Sequence, residues 1–281
     1  MQIKNFAFIL ILLIPINLSA SAQPRILASI KPLQMIAQAI LGEGQQAQVL
    51  LPPGATPHHY SMRPSDMVKL HGAEVIIWLG EESENYLAKP LKKLATEKSV
   101  LNLEQFLNRG TDGYLDPHFW LSGKRALTVA KVIAAHLIKL DGEREADYRR
   151  NLDAFSADLA QLEIQIRQDF ETQGFRYLVY HDAYRYFEQE YGLSHRGIIS
   201  LHPEVNPGAK HFLQLQRTIE TENIQCIIAE PESNPSVLAT LMAIKEMELL
   251  VLDPLGGTIA SVPEAYLIFL RKVADTFMRC Q

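Results

Sequence analysis

The sequence predicts an α/β protein with two lobes, each a parallel sheet flanked by helices, joined by one long rigid helix. Three observations carry this. Short apolar runs alternate with amphipathic stretches along most of the chain, which is the signature of parallel strands with helical crossovers. The alternation stops once, at residues 143–172, in a helical pattern without Pro or Gly. It then resumes to the C-terminus.

The elements follow in order. "RILASI" (25–30) reads as a buried strand, and "PLQMIAQAIL" as a helix with Pro32 in its first turn and Gly42 as its stop. "QVLL" (48–51) is a strand ending at Pro52, "SDMVKLHG" a short helix, and "EVIIWLG" (74–80) a further strand. "SENYLAKPLKKL" is helical with a disturbance expected at Pro90, and "VLNL" is a strand. "KRALTVAKVIAAHLIKLDG" (124–142) is a long amphipathic helix. Apolar residues at Tyr148, Leu152, Phe155, Leu159, Leu162, Ile166 and Phe170 then recur at steps of three and four, one face of a single spine helix over 143–172. "RYLVY" (176–180), "GIISL" (197–201), "CIIAE" (226–230) and "LLVLD" (249–253) are the strands of the second lobe. "GAKHFLQLQRTIETE", "NPSVLATLMAIKEM" and "PEAYLIFLRKVADTF" are its helices. The expected domains are 23–142, the spine 143–172, and 173–281.

The N-terminus sets the compartment. Lys4, an apolar run from Phe6 to about Leu18, and Ala20-Ser21-Ala22 form a secretory signal peptide over residues 1–22. The run is short for a membrane span, which needs about 20 apolar residues. No cysteine follows the cleavage point, so no lipid anchor is expected there. A formal net charge of −5, without basic tracts, excludes a nucleic-acid partner. The two cysteines, Cys226 and Cys280, are expected to form a disulfide in an exported chain.

Sheets of this kind bind ligands beyond the carboxyl ends of their strands. His181 directly follows one strand, and Glu230 and Asp253 end two others. His58 and His59 follow a strand through a Pro-Gly turn, and His118 lies in "DPHFWLS" before the long helix. Histidines and carboxylates from both lobes therefore point to one cleft. His58 and His59 share one turn, and the residues alone do not choose between them. His71, His136 and His211 fall inside helices as ordinary residues, and His195 and His202 fall in loops. Trp78 and Trp120 read as packing residues.

"GATPHHYSMRPSD", "DPHFWLS", "YHDAYRYFE", "NPGAKH", "AEPE" and "LDPLGG", spread over the whole mature chain, resemble the zinc-binding periplasmic proteins of bacterial ABC uptake systems, the ZnuA type of solute-binding protein. The resemblance implies two α/β lobes bridged by a helix, with Zn2+ held between them. It implies His58, His118 and His181 as ligands, with His59 a neighbour and Asp253 a fourth ligand or a carboxylate beside it. From its strand end alone, Glu230 reads either as a carboxylate behind the ligands or as a helix-capping or salt-bridging one. Manganese and iron relatives carry a carboxylate where His181 stands, so the imidazole favours zinc. Many zinc members also insert a His-rich loop before the second ligand; "QFLNRGTDGYL" has no histidine. The implied role is capture of zinc in the periplasm and delivery to an ABC transporter permease, by a monomer without a membrane anchor and without a chemical step. Three imidazoles plus water would also suit a zinc hydrolase or hydratase, but no His-Glu-x-x-His is present. A metal-binding adhesin is the third reading.

Overall fold

The computed structural model describes residues 23–107, 109, 113, 115–171, 174–201 and 207–280. The signal-peptide segment and His202 lie outside them. The first sheet contains β1 (Ile26–Ala28), β2 (Gln48–Val49), β3 (Val75–Trp78) and β4 (Ser99–Asn102). The second contains β5 (Tyr177–Val179), β6 (Gly197–Ile198), β7 (Cys226–Ala229) and β8 (Glu248–Val251). Their orders are β2-β1-β3-β4 and β6-β5-β7-β8, and every pairing is parallel. Parallel neighbours require crossovers. These are supplied by α1 (Lys31–Leu41), α2 (Pro64–Gly72), α3 (Asn85–Leu94), α6 (Arg185–Tyr191), α7 (Ala209–Thr221) and α8 (Pro235–Met242). The remaining helices are α4 (Gly123–Leu140), α5 (Glu145–Asp169) and α9 (Ala265–Met278).

Strand alternation divides the core in three. Ile26, Ala28, Val75 and Ile77 of the first sheet and Tyr177, Val179 and Ile228 of the second face one shared core. That core also takes the buried faces of α1, α4, α5 and α9. Leu27, Ile76 and Trp78 face the other way, onto α2 and α3. Leu178, Ile227 and Ala229 face α7 and α8. The two sheets are thus fixed to a common helical layer.

Two elements differ from the sequence reading. The spine is 25 residues, Glu145–Asp169, about 38 Å at 1.5 Å per residue. Its expected first residues belong instead to a 3-10 turn, Gly142–Arg144. Asp141 holds that turn, accepting from Arg144 Nε at 2.8 Å and from the Tyr148 hydroxyl at 3.0 Å. The short helix α6 has no counterpart in the sequence reading. Four of its seven residues, Tyr186, Phe187, Glu188 and Tyr191, are buried, and at under two turns it is too short for an apolar period to mark it as a helix. Cys226 and Cys280 are joined, tying β7 to the end of α9. No described helix is long and apolar enough to cross a membrane.

Candidate metal centre

In the second sheet the strand order reverses between β5 and β7, the position where such sheets open a crevice. Val179 pairs with Ile228. Two residues further along each strand, the same register sets His181 beside Glu230. Their side chains meet, with Nδ1 of His181 2.5 Å from Oε1 of Glu230. Neither atom has another partner among the described residues. Both side chains are buried.

His118 comes from the first lobe, at the start of a 3-10 turn over Phe119–Leu121. Asp116, two residues earlier, accepts from the His118 backbone N–H at 3.0 Å and lies 2.8 Å from its Nδ1. Nδ1 is therefore the protonated nitrogen, by its partner. Asp116 was missed in the sequence; the Asp-x-His spacing in "DPH" was its signal. His58 sits on a 3-10 turn over Pro57–His59, with Thr56 Oγ1 accepting from its backbone N–H at 3.3 Å. It is exposed on one side and faces the two buried rings on the other.

One ring nitrogen each from His58, His118 and His181 lies within 4.8 Å of the other two. The ring centroids are 5.8, 5.8 and 5.3 Å apart. The Nε2 atoms of His118 and His181 stand 3.4 Å apart. A tetrahedral zinc with Zn–N of about 2.0–2.1 Å needs nitrogens about 3.3–3.4 Å apart. The donor set fits that ion, with Nε2 inward and Nδ1 held by carboxylates on both buried rings. His59 lies next to His58, ring centroids 6.3 Å apart, but is not in the three-nitrogen cluster.

Electrostatics separate the imidazoles. Burial, with the neighbouring His118, His181 and His59, pushes His58 down to about 4. Burial opposes charge on His181 as well, but the Glu230 carboxylate outweighs it and raises that group above its ordinary value.

Asp253 ends "LLVLD" as expected, near the cleft, and its oxygens face the backbone. Oδ1 accepts from Leu255 N at 2.8 Å and Oδ2 from Gly257 N at 2.7 Å. It is not in the three-nitrogen cluster. The tight turn it caps requires Gly256, whose φ is +64° and where a Cβ would come 2.7 Å from the Phe269 ring. The other described histidines have structural partners or stand apart. His136 pairs with Ser99, His195 with Glu188, and His211 with the Ile198 carbonyl, while His71 is exposed on α2.

Two α/β lobes that bring three imidazoles together between their strand ends define a metal-binding solute-binding protein. The family model described as "Zinc-uptake complex component A periplasmic", ZnuA, matches residues 26–280, and the chain belongs to that family. It is 33% identical to the high-affinity zinc uptake system protein ZnuA of Haemophilus ducreyi, over 94% of this chain and 96% of that one. Among solved structures, a zinc-bound deletion mutant of ZnuA superposes with a TM-score of 0.77 at 25% identity, covering 91% of this chain and 98% of that one. A laminin-binding adhesin of Streptococcus agalactiae, Lmb, superposes with a TM-score of 0.80 at 22% identity, covering 92% and 99%. That last likeness shows the fold alone.

Proposed function

We propose that this chain captures Zn2+ in the periplasm at His58, His118 and His181 and delivers it to the membrane permease of an ABC uptake transporter. The observation that carries the reading is the 3.4 Å separation of the His118 and His181 Nε2 atoms, each ring backed by a buried carboxylate. Its lobes are residues 23–142 and 173–281, joined across 143–172, and it acts as a monomer. Zinc is cargo, and no bond is made or broken. Asp116 and Glu230 both face imidazole Nδ1 atoms, so neither is placed to activate a bound water as a general base. The fourth position is left to water or to a carboxylate at the cleft rim, Asp253 among them.

Relatives named for zinc uptake support the same reading. The test is calorimetric titration of the mature chain with zinc against a competing chelator, together with growth of a strain lacking the chain in zinc-depleted medium. One tight zinc per chain, and growth restored by the wild type but not by His118→Ala, are expected. Two or more tight sites, or restoration by His118→Ala, would overturn the assignment.

A further inference from the structure

Trp120 lies two residues beyond His118 and is 1% exposed. Its ring meets the His118 ring edge-on, with centroids 5.4 Å apart. Its Nε1–H donates to the Pro254 carbonyl at 2.8 Å, a contact between residues 134 apart in sequence. Pro254 belongs to the turn after β8 that Asp253 caps. The Trp120 carbonyl in turn accepts from the Tyr266 hydroxyl of α9 at 2.9 Å. Trp120 is therefore pinned at the ring and at the backbone to the C-terminal segment, while it helps wall the cavity that the three imidazoles line.

Hydrophobic burial alone does not require this. The chain's other tryptophan, Trp78, is also buried, yet its Nε1 has no hydrogen-bond partner among the described residues. At His118 the contacts are complementary. Asp116 holds Nδ1 and fixes the ring's direction, but one hydrogen bond leaves the ring free to tilt about it. The edge of Trp120 blocks that tilt, and the bond to Pro254 fixes Trp120 in turn.

We propose that Trp120 is a positioning residue for zinc. It locks the His118 ring to the 253–257 turn of the other lobe and thereby slows release of the ion. The proposal rests on the three-histidine reading. A ligand held in place before the metal arrives loses little freedom on binding, and the difference falls mainly on dissociation.

The experiment is stopped-flow release of zinc from the mature chain into excess chelator. Trp120→Phe keeps an aromatic wedge and loses the donor. Benzothienylalanine at position 120, which replaces the indole N–H by sulfur, keeps both shape and burial if the phenylalanine variant does not fold. Release is expected to be about tenfold faster or more, with association changed by less than about threefold. A variant that loses thermal stability but releases zinc at the wild-type rate overturns the proposal, because a structural role alone predicts that pattern. If neither variant folds, Tyr266→Phe must show the faster release, or the proposal fails. A wild-type chain that binds no zinc overturns the three-histidine reading instead.

Discussion

His118 and His181 present their Nε2 atoms to each other across 3.4 Å, although they are 63 residues apart and belong to different lobes. Each buried ring has a carboxylate on its far side, Asp116 for one and Glu230 for the other. This back-to-back arrangement is what the ion would otherwise have to organise, and most of the expected behaviour follows from it.

Removing a ligand should be costly and removing its neighbour cheap. His118→Ala and His181→Ala should each weaken zinc by about 100-fold or more, near 2.8 kcal/mol. His58→Ala should also weaken it strongly, whereas His59→Ala should cost less than about tenfold, near 1.4 kcal/mol. Competition titrations measure all four. A larger loss for His59→Ala than for His58→Ala would reassign the ligand within that turn.

The carboxylates behind the rings should show in the proton count. Because Glu230 holds His181 above its ordinary value, zinc binding displaces more protons from that ring than from an ordinary imidazole, and increasingly so as pH falls. His58, pushed down to about 4, is already uncharged at neutral pH. Affinity should therefore fall as pH drops from neutral. Glu230→Gln should release fewer protons at neutral pH and weaken zinc by about 10- to 100-fold. Asp116→Asn should weaken it to a similar degree. Calorimetry in buffers of different ionisation enthalpy counts the protons, and an unchanged count in Glu230→Gln would contradict the pairing.

Away from the site, Glu188 is buried and accepts from the Tyr177 hydroxyl at 2.6 Å while lying 3.0 Å from His195 Nδ1. Burial acts against both charges, yet the pairing lowers Glu188 and raises His195. The Glu188 contribution is present above the unfolded carboxyl value and is lost as pH falls through its lowered folded value. The His195 contribution is present below the unfolded imidazole value and is lost as pH rises through its raised folded value. Both operate together between about pH 4.5 and 6.5. Glu188→Ala should cost about 3 kcal/mol in that window, with a smaller deficit above it. Thermal melts of both proteins across pH 4–9 test the shape, and a uniform deficit would remove the ion pair from the account.

The Cys226–Cys280 bridge spans 54 residues, and the chain-entropy model assigns such a loop roughly 4 kcal/mol. Reduction should lower the melting temperature while leaving zinc affinity within about threefold. Neither cysteine is in the three-nitrogen cluster. Loss of zinc binding on reduction would show that the second lobe's strand ends depend on the bridge.

The alternation of strands and helices, the helical pattern of the spine, the pairing of two cysteines, and the motifs that place His58 and His181 after strands and His118 before the long helix were all legible in the sequence. These are local patterns: apolar periodicity, turn residues, and a short histidine signature. The sequence did not reveal α6, because a helix of seven residues, under two turns, is too short to show a period. Nor did it show what holds each ring. Asp116 was two residues from His118 and unremarked. Glu230 was expected near the ligands, but only the β5–β7 register sets it beside His181 in particular. The tertiary structure alone decided that Asp253 turns its oxygens to Leu255 and Gly257 and that Trp120 reaches Pro254. It also decided that α9 packs with α1 and α5 in one shared layer. Those contacts join segments far apart in the chain, and no local pattern encodes them. They exist because two sheets bury their inner faces on the same helices, which fixes where the strand ends of one lobe stand against those of the other.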